Sequence, residues 1–204
     1  GETATLSTEE KDQVLAHVKS VNAGRLPIVI GIGGNNTAAV VEEFERFDLK
    51  GVDAILSASP YYNKPTQEGI YQHYKVLAEH APLPLILYNV PGRTASNMTA
   101  ETTLRLAHTV ENIVGIKEAS GDLNQVMEIV KGKPSEFAVI SGEDVLNFPI
   151  IACGGIGVIS VLANTLPKLT ADVVNLSLNS DNKKARDLHY SSINFTNLLF
   201  AEGN

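Results

Sequence analysis

The chain has one cysteine, Cys153, among its 204 residues. No internal disulfide is possible, and an oxidising compartment is not implied. Basic charge is in short supply: 16 lysines and arginines stand against 23 aspartates and glutamates, a net charge of −7. An acidic chain without a long basic run argues against nucleic acid or an anionic membrane as a partner. Long apolar runs are missing too. The longest candidates, such as the segment from Leu85 to Tyr88, are strand-sized rather than membrane-spanning. No signal peptide is read, and a cytoplasmic location is expected. The histidines His17, His73, His80, His108 and His189 show neither H-x-x-x-H nor H-E-x-x-H spacing. Cys153 has no cysteine partner, so no protein-held metal is expected. There is no P-loop, no G-x-S-x-G elbow and no G-x-G-x-x-G fingerprint with a following acidic partner.

What is present is alternation. Apolar, β-branched runs at Leu26–Gly33, Gly51–Ser57, Leu83–Val90, Ile113–Ala119, Phe137–Ser141 and Gly154–Val161 read as strands. Amphipathic helices lie between them. Ser7 and Glu10 form a capping box, after which Val14, Val18 and Val21 share a face. Thr66, Thr99 and Asp122 start further helices over 67–80, 101–108 and 123–130, and Gly132 ends the last of these. Segments 37–47, 166–178 and 183–200 complete the set. Strand–helix repetition predicts parallel strands with helical crossovers, either a doubly wound open sheet or a (β/α)8 barrel. A barrel typically runs to about 250 residues; with six strands read, this chain fits one lacking two.

In both architectures the site gathers at the carboxyl ends of the strands. Four of the five residues from Ile113 to Lys117 are Ile, Val or Gly, and the fifth is the lysine itself. A lysine on such a strand is costly to bury charged, so it tends to lose its proton, and the neutral amine can attack a ketone to form a Schiff base. The third strand ends Tyr88-Asn-Val-Pro-Gly-Arg-Thr94. A Pro-Gly turn is expected there, with Tyr88 offering a phenol and Arg93 a planar fork for a carboxylate. Tyr61 and Tyr62, adjacent in a Pro-bounded loop, read by themselves as packing residues. Lysine, tyrosine and arginine at the ends of different strands are the parts a Schiff-base reaction needs: a nucleophile, a proton shuttle and a cation for an anionic substrate.

Gly1-Glu-Thr-Ala-Thr-Leu6, Ser59-Pro-Tyr-Tyr-Asn-Lys-Pro-Thr66, Tyr88-Asn-Val-Pro-Gly-Arg-Thr94, Gly115-Ile-Lys-Glu-Ala-Ser120 and Gly154-Gly-Ile-Gly-Val-Ile-Ser160 resemble, in order, segments of the dihydrodipicolinate synthase family of class I pyruvate-dependent aldolases. The resemblance implies a (β/α)8 barrel with strands three to eight present over 1–165, followed by its last helix and part of a C-terminal helical region over 166–204. It implies condensation of pyruvate with L-aspartate 4-semialdehyde through an imine on Lys117, on the route to diaminopimelate and lysine, with no further cofactor. Tyr88 then matches the proton donor and acceptor. Tyr62 matches a relay tyrosine supplied to the neighbouring subunit of a homo-oligomer, a tetramer built as a dimer of dimers. Arg93 matches the arginine holding the semialdehyde carboxylate. Ile159 matches a backbone contact to pyruvate, and Gly142 lies beside the pocket. Asn35 and Tyr61 match an allosteric pocket for lysine.

There are departures from the family pattern. The family carries Thr-Thr immediately before the Gly-Glu that opens this chain, and those threonines supply a relay hydroxyl and part of the pyruvate site. Both ends of the chain read as cut, so it is expected to be an internal piece of a longer enzyme, with little activity alone. Lys11 and Ala39 stand where lysine-inhibited relatives carry histidine and glutamate, so poor lysine feedback is expected. The alternatives are a related Schiff-base aldolase, such as N-acetylneuraminate lyase or a 2-keto-3-deoxy-sugar aldolase, and an inactive fragment. Arg93 favours the small carboxylate-bearing aldehyde.

Overall fold

Local sequence explains where the helices begin. In the computed structural model, which describes residues 3–203, α1 (Thr8–Asn22) starts at the expected capping box. The Glu10 N–H donates to Ser7 Oγ at 3.2 Å, and the Ser7 N–H to Glu10 Oε2 at 2.7 Å. Gly1 and Glu2 of the first resembling segment lie outside the described residues. There follow β1 (Val29–Gly31), α2 (Thr37–Arg46), β2 (Ala54–Ala58), α3 (Gln67–His80), β3 (Leu85–Asn89) and the single turn α4 (Pro91–Thr94). Next come α5 (Ala100–Thr109), β4 (Ile113–Glu118), α6 (Leu123–Gly132), β5 (Ala138–Ser141), α7 (Asn147–Ala152) and β6 (Gly157–Val158). The chain ends in α8 (Pro167–Leu178) and α9 (Asn182–Leu198). Side chains of Asn36, Thr66, Thr99 and Asp122 cap α2, α3, α5 and α6.

The strand order separates the two architectures that the sequence leaves open. All pairings are parallel and run β1-β2-β3-β4-β5-β6 without reversal. A doubly wound sheet reverses order at a switch point; an order that only advances is that of a (β/α)8 barrel. The six strands form an arc of such a barrel with the C-terminal helices beyond it, as expected.

Strand alternation sorts the side chains onto two faces. Ile55, Leu85, Leu87, Ile116 and Val139 are buried with Ile70, Tyr74, Leu77, Leu106, Val126 and Ile129 of the helices, forming the core. The opposite parity lines the inner face of the arc. There the register aligns Ala58, Tyr88, Lys117 and Ile140 in one row, with Leu56, Ile86, Gly115 and Ala138 in the row below.

The structure departs from expectation in five places. The run Leu26–Gly33 pairs only over Val29–Gly31, because the Ile28 N–H is taken by the Asp53 carboxylate at 2.7 Å and Pro27 has no N–H to donate. The glycines at 154 and 155 close off α7, the first at φ +109° and the second donating to Ile150 O at 2.9 Å, so strand structure starts only after them. The expected Pro-Gly turn is the helical turn α4, for which Pro91 is pre-set by its ring. Helix α7 lies in a stretch where no element is read from the sequence. Finally, Val14 and Val21 do share a face of α1, but that face is exposed (53% and 58%) and only Leu15 of the helix is buried.

Candidate active site

Lys117 and Tyr88 are direct register partners on neighbouring strands, so their side chains leave the same face side by side. Lys117 Nζ sits over the Tyr88 ring, 4.1 Å from its centroid. Burial lowers the lysine pKa from its ordinary value, and the negative charge of Asp144 only partly opposes this. A larger fraction is therefore the free amine, the form that attacks a carbonyl. Burial raises the Tyr88 pKa; nearby Arg93 pulls it down and Glu143 pushes it up. A phenol kept protonated beside an amine can hand over and take back a proton.

Gly142 is part of this geometry. A Cβ at that position would meet Lys117 Cε at 2.8 Å, Lys117 Cγ at 2.9 Å and Ala119 Cβ at 2.9 Å. The lysine stem therefore lies directly against the bare Cα, and no larger residue fits without moving it. Ile159 follows β6, and its N–H is committed to Ser141 O at 2.9 Å. Any backbone contact it offers a ligand falls to its carbonyl. Arg93 projects from α4 into solvent at the end of β3. Among the described residues no ion pair holds its guanidinium, and no three His, Cys, Asp or Glu side chains gather where a metal ion could sit.

An amine, a phenol and a guanidinium stand at the carboxyl end of a parallel arc, with a glycine clearing space for the amine, and these are the groups a carbonyl condensation would use. The model of the dihydrodipicolinate synthetase family matches residues 1–204. This chain belongs to that family. The 4-hydroxy-tetrahydrodipicolinate synthase of Flavobacterium psychrophilum is 54% identical over all of this chain and 69% of its own length. Two crystal structures superpose closely. The chloride-inhibited dihydrodipicolinate synthase of Acinetobacter baumannii, complexed with pyruvate, is 43% identical with a TM-score of 0.95, covering 100% of this chain and 70% of its own. The dihydrodipicolinate synthase of Thermotoga maritima is 36% identical with a TM-score of 0.96, over 100% and 70%.

The remaining expected site residues divide into two groups. Asn35 and Tyr61 are brought together: Asn35 Nδ2 donates to Tyr61 O at 3.0 Å, and Asn63 Nδ2 returns a bond to Asn35 O at 3.3 Å. Tyr62 is not brought to Lys117. It stands 88% exposed at φ +72°, a left-handed backbone that is costly for a tyrosine. Neither tyrosine packs in the core, contrary to the reading of that loop from its residues alone. The sequence reading missed Asp144. Its buried carboxylate accepts the Val161 and Leu162 N–H groups, both at 2.9 Å, and Asn147 Nδ2 at 3.0 Å, pinning the chain just past Ile159. The only local signal was an acidic residue two places after Gly142, too little to distinguish it from Glu143.

Proposed function

We propose that this chain condenses pyruvate with L-aspartate 4-semialdehyde to give 4-hydroxy-tetrahydrodipicolinate. The observation that carries the reading is Lys117 Nζ 4.1 Å from the centre of the Tyr88 ring, on register-paired strands and with its pKa lowered. The free amine of Lys117 attacks the ketone carbon of pyruvate. Tyr88 protonates the departing oxygen, water leaves, and an imine remains. Loss of a proton from the pyruvate methyl gives the enamine, whose carbon bonds to the aldehyde carbon of the second substrate. The amino group of the condensed product then attacks the imine carbon, closing the ring and freeing Lys117. No cofactor is required for these steps.

In this reading Arg93 pairs with the semialdehyde carboxylate, bidentate geometry being what a guanidinium offers. The Ile159 carbonyl and the space at Gly142 border the pyruvate. The exposed, strained Tyr62 is supplied to a second copy of the chain, in a homo-oligomer that we take to be a tetramer of two dimers. Asn35 and Tyr61 form part of an effector pocket for lysine, weakened by Lys11 and Ala39. The barrel portion runs over 1–165 and the C-terminal helical portion over 166–204, and the protein works in the cytoplasm, without nucleic acid or membrane; among the described residues no helix is long and apolar enough to cross one. The related sugar-acid lyases share the lysine and tyrosine, and Arg93 favours the smaller aldehyde.

The test is reduction with borohydride in the presence of pyruvate, followed by peptide mass mapping. The adduct is expected on Lys117 and on no other lysine. An adduct elsewhere, or none in the protein at its full encoded length, refutes the Schiff-base mechanism. Turnover with L-aspartate 4-semialdehyde but not with N-acetylmannosamine separates the main reading from the lyase alternative.

A further inference from the structure

Glu118 follows Lys117 on β4 and faces the other way, behind the sheet. It is 1% exposed. A buried carboxylate is costly unless its oxygens are satisfied. No cation pairs with it among the described residues. Its partners are neutral N–H groups: Asn89 Nδ2 at 3.2 and 3.1 Å, Gln125 Nε2 at 3.0 Å and the Ser120 N–H at 2.6 Å. These come from β3, from α6 and from the chain leaving β4.

Asn89 is the residue after Tyr88, and it acts as a clasp. Its Oδ1 accepts the Met98 N–H at 3.0 Å, and its Nδ2 donates to Asn97 Oδ1 at 2.8 Å. One side chain at the start of the 90–97 segment thereby holds the far end of that segment. Asn97 Nδ2 donates in turn to Gln125 Oε1 at 2.9 Å. Arg93 sits in the middle, on the single turn α4, which has no side-chain cap of its own. An asparagine amide can be turned end for end, exchanging donor and acceptor. Carboxylate oxygens accept only, so Glu118 forces the Asn89 NH2 towards itself and leaves Oδ1 facing Met98.

We propose that Glu118 is a positioning residue for the second substrate. It fixes the Asn89 amide, Asn89 closes the 90–97 segment, and the closed segment presents Arg93 to the aldehyde's carboxylate. The inference rests on the role of Arg93 given under the proposed function. Glu118 acts on the opposite side of the strand from the Lys117 amine, so imine chemistry is not its target.

The test is Glu118→Gln in the protein at its full encoded length, since an amide NH2 there meets groups that are themselves donors. KM for the aldehyde is expected to rise about tenfold with kcat changed less than about threefold, the signature of lost binding rather than lost chemistry. The extent and pH profile of borohydride-trapped pyruvate on Lys117 stay as in the unsubstituted protein. Added to Arg93→Ala, Glu118→Gln has no further effect on aldehyde KM, because the two act in series. If Glu118→Gln does not fold, Asn97→Ala, on the exposed side of the clasp, takes its place with the same expected pattern. Equal losses for both substrates, a shifted imine pH profile, or full additivity with Arg93→Ala overturns the inference. Absence of the pyruvate imine in the unsubstituted protein overturns the reaction itself, and the inference with it.

Discussion

Substituting Gly142 by alanine tests the site through a single methyl group. The added Cβ would stand 2.8 Å from Lys117 Cε, and 2.9 Å from both Lys117 Cγ and Ala119 Cβ. Carbon atoms rest about 3.5–4.0 Å apart, so the lysine stem must retreat by about 0.7–1.2 Å. Two of the three clashing atoms are not the free end of a side chain: Cγ lies near the strand and Ala119 Cβ is fixed to it. The amine therefore moves with its stem and loses its place over the Tyr88 ring. A displacement of about 1 Å at a reacting group costs on the order of 10²-fold in rate, or about 2.7 kcal/mol of barrier. The expected result for Gly142→Ala is a fall of about 10² in the rate of imine formation with pyruvate, followed by rapid mixing and borohydride quench. Overpacking should cost the fold only about 1–3 kcal/mol, visible as a lowered but still cooperative melting transition. Wild-type imine kinetics in the folded variant would falsify the claim that the bare Cα at 142 sets the position of the amine.

Two pH-dependent outcomes follow from burial. Lys117 has its native pKa below the unfolded value of 10.5. Between those two values the unfolded chain binds more protons, so stability rises with pH across that window, and below it the buried ammonium is a constant cost. Lys117→Met should therefore melt higher than the unsubstituted protein at neutral pH, with the gap closing as pH approaches 10.5; a gap independent of pH contradicts the assignment. His73 is buried in α3, its Nδ1 bonded to Thr37 Oγ1 at 2.8 Å and its Nε2 without a partner among the described residues, and its pKa is lowered to about 4. The unfolded chain takes up a proton near pH 6.5 and the native one only near 4, so stability falls as pH drops through that window. The loss reaches about 3 kcal/mol. His73→Gln should flatten the acid limb of a denaturant-midpoint curve by that amount, and an unchanged limb rules the histidine out.

Much of the fold was legible because its signals are local. The cap at Ser7 and the caps at Thr66, Thr99 and Asp122 announce helices through side-chain-to-backbone bonds within three residues. The β-branched runs announce strands. Helix α7 was not legible, because its residues after Asn147 are an apolar run with no side-chain cap to start the helix, and its neighbour Asp144 caps groups at 161 and 162, far along the chain. The stripe of α1 is legible as a face but not as an uncovered one, since amphipathicity records that a side wants cover and not whether cover is present.

The same division holds at the site. By itself the sequence determined that a lysine ends an apolar strand, that a tyrosine ends another, and that an arginine follows a Pro-Gly pair. It also determined the alternation of strands with helices and the family pattern. Only the tertiary structure decided that β3 and β4 are neighbours in a register that sets Tyr88 against Lys117, and that the lysine stem runs over Gly142. It alone placed Glu118 at the back of the same strands, holding the Asn89 clasp. The physical reason is range. Caps, periodicity and turn chemistry act over a few residues, whereas register and burial come from backbone bonds between strands some thirty positions apart, and these set which groups lose water together.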